Sequence, residues 1–94
     1  MATQVLTTDE LTARLPIGWN YDQQKKEIAK EFDRGNFSGA VLFINTIASH
    51  AEAQDHHPDL YLHGYSKVRV TLATHSAGGV TEYDLKLAKT IDTI

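Results

Sequence analysis

Residues 52–84 hold the side chains of this chain that are best suited to chemistry. Four of the five histidines lie there, and three of them form the pattern of interest: His56 and His57 are adjacent and stand directly before Pro58, and His75 follows later. A proline disfavours the helical conformation in the residue before it, so the pattern predicts that His57 lies where a helix gives way to extended chain. Histidine is the side chain that changes charge near neutral pH, so the cluster indicates either proton transfer or metal binding.

The spacing of these histidines favours proton transfer. Zinc sites usually take ligands two or four positions apart on one face of a helix or strand. His56 and His57 are neighbours whose side chains diverge, and the chain contains no cysteine that could complete a site. Acid–base catalysis requires only that the imidazoles converge in space. We therefore expect no metal site.

Two carboxylates are candidates to support the imidazoles. Glu52 stands one helical turn before His56 and could orient or tune it. Asp84 could either cap the last helix or hold a histidine in one tautomer, and the sequence does not choose between these roles. The alternative, that the histidines are ordinary exposed loop residues, stays open for the cluster. It is the preferred interpretation for the remaining two, His50 and His63.

The composition predicts a soluble, acidic protein of one domain, residues 1–94. The formal charge is −3, and 41% of the residues are hydrophobic against 22% charged. No basic patch suggests direct nucleic-acid binding. No signal peptide is visible at the N-terminus, and the longest apolar run, Ala40–Ile44, is far too short to cross a membrane. We expect a cytoplasmic location.

Periodicity and capping signals predict three helices and four strands. The helices are a short one after Thr8 that Pro16 ends, a long one over Phe37–Gln54, and a C-terminal one that begins at Thr81 with Asp84 at the capping-box position. The predicted strands are an extended segment from Ile17 that contains Trp19, then Glu27–Asp33, Asp59–His63 and Lys67–Thr74.

This order of elements predicts an α+β fold, a four-stranded antiparallel sheet with three helices packed on one face. The last two strands would form a hairpin, with His56 and His57 at the start of one strand and His75 at the end of the other. Those two ends meet in an antiparallel pair, so all three imidazoles could line one cleft. Trp19, the only tryptophan, is expected to anchor the core or a hairpin.

The complete pattern resembles a family signature. The stretch Glu52-x3-His56-His57-Pro58-x6-Tyr65-x9-His75-x8-Asp84 is similar to the signature of the pterin-4a-carbinolamine dehydratases. The resemblance runs from about residue 8 to residue 94. It is supported by Gly18-Trp19, Phe32, Phe37, Ala51-Glu52, Thr74-His75 and Gly79-Val80-Thr81-Glu82.

The resemblance implies dehydration of 4a-hydroxytetrahydropterin to quinonoid dihydropterin, which regenerates the pterin cofactor of aromatic amino-acid hydroxylases. It implies no metal and no organic cofactor. It assigns acid–base roles to His56 and His75, and pterin binding to His57 with Glu52 in support. Trp19 and Asp84 would shape or order the pocket.

The chain departs from the family pattern at two positions that bear on substrate contacts. Leu60 stands where relatives often carry an aromatic residue, and Ala77 stands where some animal members have cysteine. Some animal relatives also act as a dimerisation cofactor of a homeodomain transcription factor, so a non-catalytic protein-binding module on the same fold is the alternative function. The intact set of three histidines favours the enzyme.

The long helix predicts self-association. One sheet covers only about a third of a helix circumference, yet apolar residues occupy more than one face. They are Val41, Leu42, Phe43, Ile44 and Ile47. An exposed edge strand also invites pairing with a second copy. Members of the family that the chain resembles are dimers or dimers of dimers, so we expect a homodimer or homotetramer.

Overall fold

The computed structural model describes residues 3–94 and confirms the predicted α+β class. Three helices and one four-stranded antiparallel sheet follow in the expected order. They are α1 (Thr8–Arg14), β1 (Asn20–Asp22), β2 (Glu27–Asp33), α2 (Phe37–Gln54), β3 (Asp59–His63), β4 (Lys67–Leu72) and α3 (Glu82–Asp92). Within the described residues no helix is long and apolar enough to cross a bilayer.

The strands lie in the order β1-β2-β4-β3, and every neighbouring pair is antiparallel. β1 with β2 and β3 with β4 are hairpins, because short turns can join only antiparallel neighbours. Helix α2 connects β2 to β3 across one face of the sheet, and β4 lies between these two strands. The β3–β4 register places Asp59 opposite Thr71 and His63 opposite Lys67.

The core lies between the helices and one face of the sheet. Burial alternates along β4, where Val68, Val70 and Leu72 face the helices. Four buried residues of α2 recur at intervals of three and four, which keeps them on one stripe: Ala40, Phe43, Ile47 and Ala51. A large apolar side chain buried as fully as Phe43 contributes about 1.5–3 kcal/mol by leaving water. Within residues 3–94 the opposite face of the sheet carries no helix.

Helix α1 begins one residue earlier than the sequence suggested. Thr7, not Thr8, is its cap: the Thr7 hydroxyl accepts from the Glu10 N–H at 3.1 Å, and the Glu10 carboxylate accepts from the Thr7 N–H at 2.9 Å. This reciprocal pair satisfies two backbone donors that the first helical turn leaves open. The helix ends at Arg14, before Pro16.

Two strands are shorter than predicted, for local hydrogen-bonding reasons. The Trp19 N–H donates to the Pro16 carbonyl oxygen in a turn, so β1 begins only at Asn20. In the second case β4 stops at Leu72, and Thr74 forms an isolated bridge with Gly79 instead. That bridge bends the chain after β4 into a closed loop.

Candidate active site

The C-terminus of α2 places the two adjacent histidines. Asp55 has left-handed backbone angles (φ 50°, ψ 42°), which aspartate tolerates better than most residues. The Asp55 N–H donates to the Glu52 carbonyl oxygen at 3.2 Å, and the His56 N–H donates to that of Ala51 at 3.0 Å. This pair of bonds is a common way to end a helix. His56 and His57 therefore lie between this turn and β3, rather than in the strand as expected.

The loop after β4 places His75. The Thr74 N–H donates to the Gly79 carbonyl oxygen at 2.9 Å, and the Thr74 carbonyl oxygen accepts from the N–H groups of Ala77 and Gly78, both at 3.0 Å. Gly78 has φ 81°, a conformation that costs glycine little. His75 is exposed at the corner of this loop, and within the described residues its ring makes no hydrogen bond.

A cavity of about 230 Å³ lies between these two turns. It is lined by Asp55, His56, His57, Ala73, Thr74, His75 and Ser76. The residues just before β3 and just after β4 share one end of the sheet, because Asp59 pairs with Thr71. The structure thus brings the three histidines of the sequence cluster together. A larger cavity of about 530 Å³ lies beside the β1–β2 hairpin, but no histidine lines it.

A buried carboxylate holds His56. The His56 Nε2 atom lies 2.6 Å from Asp84 Oδ1, with the Asp84 side chain fully buried and the imidazole 13% exposed. Asp84 Oδ2 accepts from the Thr74 hydroxyl at 2.8 Å and from the Thr81 N–H at 2.9 Å. Asp84 therefore fills both roles that the sequence left open: one oxygen caps α3, and the other orients a histidine.

This contact determines which nitrogen of His56 is available to a substrate. A carboxylate accepts and a ring N–H donates, so the hydrogen of the neutral imidazole resides on Nε2. Nδ1 of His56 is then the nitrogen left to exchange a proton. The same geometry suits the charged imidazolium, which has hydrogens on both nitrogens.

His57 has a carboxylate partner of its own, but an exposed one. Its Nε2 atom lies 3.0 Å from Glu52 Oε2, with the two side chains 57% and 78% exposed. Glu52 was expected to support His56, and its observed partner is instead His57. The turn at the end of α2 directs His56 toward α3, where Asp84 binds it. Exposed pairs of this kind are worth at most about 1 kcal/mol.

Sequence reasoning missed Tyr83, Thr74 and Thr81. The Tyr83 ring lies 5.8 Å from the His56 ring, tilted by 34°. Tyr83 stands beside Asp84 in the first turn of α3, and the capping-box spacing could have indicated that the start of this helix approaches the site. The two threonines carry the hydrogen bonds that hold Asp84, and only the position of Thr74 beside His75 hinted at its role.

The structure places Trp19 away from the cavity lining. Trp19 is 5% exposed, its ring packs edge-on against Phe32 at 6.1 Å, and its Nε1–H donates to Asp92 at 3.1–3.2 Å. Asp92 lies eight residues after Asp84 on α3, about 12 Å along a helix axis. The expected core role agrees with this position, whereas a role in shaping the pocket stays a prediction and would have to act through α3.

The other residues singled out in the sequence lie outside the cavity lining. His63 is on the open face of the sheet, where its Nε2 atom lies 2.6 Å from Glu31 Oε1. Tyr65 lies in the β3–β4 turn and is 64% exposed. Across residues 3–94 no group of three or more histidine, cysteine or acidic side chains is arranged to hold a metal ion.

Comparison with known proteins matches almost the entire chain to one family. The family model for pterin 4 alpha carbinolamine dehydratase matches residues 4–94. An Aquifex aeolicus protein named "Putative pterin-4-alpha-carbinolamine dehydratase" is 52% identical over 75 residues, which cover 80% of this chain and 73% of the relative. A Nostoc punctiforme protein of the same name is 39% identical over 94 residues, which cover 98% of each chain.

Solved structures agree with this match. A transcriptional coactivator/pterin dehydratase from Brucella melitensis superposes with a TM-score of 0.87 at 38% identity, covering 96% of this chain and 97% of its own. A pterin dehydratase-like protein identified as a RuBisCO assembly factor in the alpha-carboxysome gives a TM-score of 0.67 at 22% identity, over 81% and 87% of the two chains. At that identity the likeness concerns the fold alone. Together with the match over residues 4–94, the histidine-lined cavity on this fold shows that the chain belongs to the pterin 4 alpha carbinolamine dehydratase family.

Proposed function

We propose that this protein converts 4a-hydroxytetrahydropterin to quinonoid dihydropterin and water, and so recycles the pterin cofactor of aromatic amino-acid hydroxylases in the cytoplasm. One observation carries the proposal: three imidazoles line a single cavity of about 230 Å³, and one of them is held by a buried carboxylate. Membership of the family supports the choice of substrate.

The reaction needs one proton delivered and one removed. The C4a–O bond breaks as the hydroxyl leaves with a proton as water, the N5–H bond gives up its proton, and a C4a=N5 double bond forms. Imidazoles suit both transfers because histidine exchanges protons readily near neutral pH. His56 and His75 are the proposed acid–base pair. No metal or organic cofactor enters the balance.

The remaining cavity residues are proposed to bind the pterin. His57 lies at the exposed rim with Glu52 bound to it, so its free ring nitrogen could hydrogen-bond the polar edge of a pterin. Asp84 acts through His56 and does not itself line the cavity. Its role is therefore to position the imidazole.

A dehydratase assay with matched histidine variants tests this function. Formation of the quinonoid product is followed spectroscopically from 4a-hydroxytetrahydrobiopterin generated in situ, with the uncatalysed dehydration subtracted. We expect His56→Ala and His75→Ala each to lower kcat by about 10²–10⁴-fold, the usual worth of a general acid or base. His50→Ala and His63→Ala are the controls, and both should retain activity.

Two results would contradict the assignment. An equal loss in all four variants, or no loss in any of them, would remove His56 and His75 as the acid–base pair. Prolonged treatment with a chelator should also leave activity intact. Activity that disappeared on chelation and returned with zinc would favour a metal-bound water over the imidazoles.

A non-catalytic protein-binding role is the second candidate, because the Brucella melitensis relative is described as both a transcriptional coactivator and a pterin dehydratase. The assay separates the two functions. A wild-type protein with no activity above the uncatalysed rate would favour the binding module, whereas activity lost on His75→Ala favours the enzyme.

We also propose that the protein is at least a homodimer that uses α2. Residues 37–51 contain no Asp, Glu, Lys or Arg, and Phe37, Val41 and Leu42 are 53%, 38% and 67% exposed. Light scattering at micromolar concentration should give a mass of at least twice 10.5 kDa. Leu42→Glu should dissociate the assembly, while Ala13→Glu on the exposed side of α1 places the same charge elsewhere and should not. A wild-type monomer would contradict this assembly.

A further inference from the structure

Thr74 contacts the supports of both proposed acid–base histidines. Its backbone closes the loop that carries His75, through bonds to Gly79, Ala77 and Gly78. Its hydroxyl lies 2.8 Å from Asp84 Oδ2, and the other oxygen of that carboxylate binds His56. One residue therefore joins two histidines that come from different elements of the fold.

Only one assignment of donors and acceptors fits the hydrogen bonds around the Thr74 hydroxyl. Thr74 Oγ1 lies 2.7 Å from Thr81 Oγ1 as well as 2.8 Å from Asp84 Oδ2. The carboxylate can only accept, so the single hydroxyl hydrogen of Thr74 points to Asp84, and Thr81 must donate to Thr74. The Thr81 and Asp84 side chains are fully buried and Thr74 is 8% exposed. The three side chains therefore satisfy one another in this series of hydrogen bonds, away from solvent.

This series of hydrogen bonds restricts the orientation of the Asp84 carboxylate. Oδ2 receives two donors, the Thr74 hydroxyl and the Thr81 N–H, which directs Oδ1 toward His56. Without the Thr74 hydroxyl, one donor is lost and the carboxylate is free to rotate about its last bond. Hydrogen bonds to charged groups are stronger than those between neutral groups, so the loss of one donor is enough to change which orientation is populated.

We propose that the Thr74 hydroxyl is a positioning group that, by directing Asp84 Oδ1 at His56 Nε2, holds His56 in the tautomer whose Nδ1 is free to exchange a proton with the substrate. The proposal rests on the proposed dehydratase function for its effect on rate. Its effect on the His56 ring does not depend on that function.

The test compares Thr74→Val, which removes the hydroxyl at nearly constant volume, with Thr74→Ser, which keeps it. Thr71→Val is the matched control, because Thr71 lies on β4 outside the cavity lining. We expect Thr74→Val to lower kcat by about 10²-fold, the cost of misplacing a catalytic group, with KM changed less than about threefold, and Thr74→Ser to restore most of the rate. Thr74→Ala replaces Thr74→Val should the latter fail to fold.

Nitrogen NMR of the His56 ring is the readout that a purely structural role would leave unchanged. In the folded wild type and in Thr74→Ser, the neutral ring should show a protonated Nε2 and an unprotonated Nδ1. In folded Thr74→Val, a second tautomer should appear as averaged shifts of both nitrogens.

Each outcome bears on the proposal. An unchanged tautomer together with an unchanged kcat in folded Thr74→Val would overturn it, as would a failure of Thr74→Ser to recover the wild-type ring signals. A wild-type protein without dehydratase activity whose His56 tautomer still responds to Thr74→Val would refute the proposed function while supporting the positioning role.

Discussion

The two ends of α3 use the same device for different purposes. At each end an aspartate accepts a hydrogen bond from the ring N–H of a distant aromatic side chain: Asp84 from His56 at 2.6 Å, and Asp92 from Trp19 at 3.1–3.2 Å. Both contacts fasten another part of the chain to α3. The first lies beside the cavity that the three histidines line, whereas no histidine lines the cavity near the second.

The difference lies in the ring and in the charge around the carboxylate. An indole carries its hydrogen permanently, so the Trp19 contact can only stabilise packing. Asp92 also has a permanent cation beside it, with Lys30 Nζ at 2.8 Å. Asp84 is fully buried and has no lysine or arginine partner among the ion pairs of residues 3–94, so its partner is an imidazole that can gain or lose a proton. The comparison teaches that burial and a titratable ring turn a structural contact into one suited to chemistry.

The largest expected difference between the two ends follows from replacing each aspartate by asparagine. If the amide introduced by Asp84→Asn keeps its oxygen toward Thr74 and Thr81, its NH₂ group faces His56 and demands an unprotonated Nε2, which is the wrong tautomer. We expect Asp84→Asn to lower kcat by about 10²–10⁴-fold. Asp92→Asn still offers an oxygen to Trp19 and should leave kcat within about twofold, at a stability cost of about 1 kcal/mol or less.

Steady-state kinetics and thermal unfolding of both variants provide the measurement. Comparable kcat values for the two variants, with both folded, would show that the buried end of α3 has no special part in the reaction.

A second prediction extends the comparison to the exposed pair formed by His57 and Glu52. Because water surrounds both side chains, this pair should contribute to binding and little to turnover. We expect His57→Ala to raise KM by roughly threefold to tenfold, equivalent to about 1 kcal/mol, with a smaller change in kcat. Glu52→Gln should have a weaker effect in the same direction. An effect of His57→Ala on kcat alone would reverse the roles of His57 and the proposed acid–base pair.

A third prediction concerns Trp19 itself. Trp19→Phe keeps an aromatic ring against Phe32 but loses the hydrogen bond to Asp92, and we expect it to lower the free energy of unfolding by about 2 kcal/mol. Chemical denaturation measures this loss, and kcat/KM should stay within about twofold of wild type. A much larger loss of activity in the folded variant would show that Trp19 does shape the pocket, through α3.

The smallest expected effect lies at the start of α3, where Arg14 of α1 binds Glu82. The hydrogen bond from Arg14 holds the pKa of Glu82 below its ordinary value of 4.5. A carboxyl whose pKa is lower in the folded state stabilises the fold above its ordinary pKa, and this contribution is lost as the pH falls through the folded-state pKa. The difference in Tm between wild type and Glu82→Gln should therefore be present at neutral pH and shrink as the pH falls below 4.5. A difference that grew toward acid would contradict the assigned cause.

Local patterns determined much of the architecture from the sequence alone. Helical spacing predicted α2 with its observed bounds, and the spacing of Thr81 and Asp84 predicted the cap of α3. Alternation predicted β2 and β3 with their observed bounds. These features depend on neighbours in the chain, and the physical rules that govern them are periodic. The resemblance of the histidine pattern to one family was likewise a property of the sequence, and the family model over residues 4–94 confirmed it.

The tertiary structure alone decided which side chains meet. Glu52 and Asp84 were both possible partners for His56, and only the left-handed turn at Asp55 directs His56 to α3 and leaves Glu52 to His57. The tautomer of His56 follows from that meeting. Only the position of Thr74 beside His75 hinted at a role for its hydroxyl, because a threonine after a strand is ordinary until a buried carboxylate from another element lies 2.8 Å away. Contacts between residues far apart in the chain depend on how the helices and the sheet pack together, and the local spacing of residues in the sequence does not predict them.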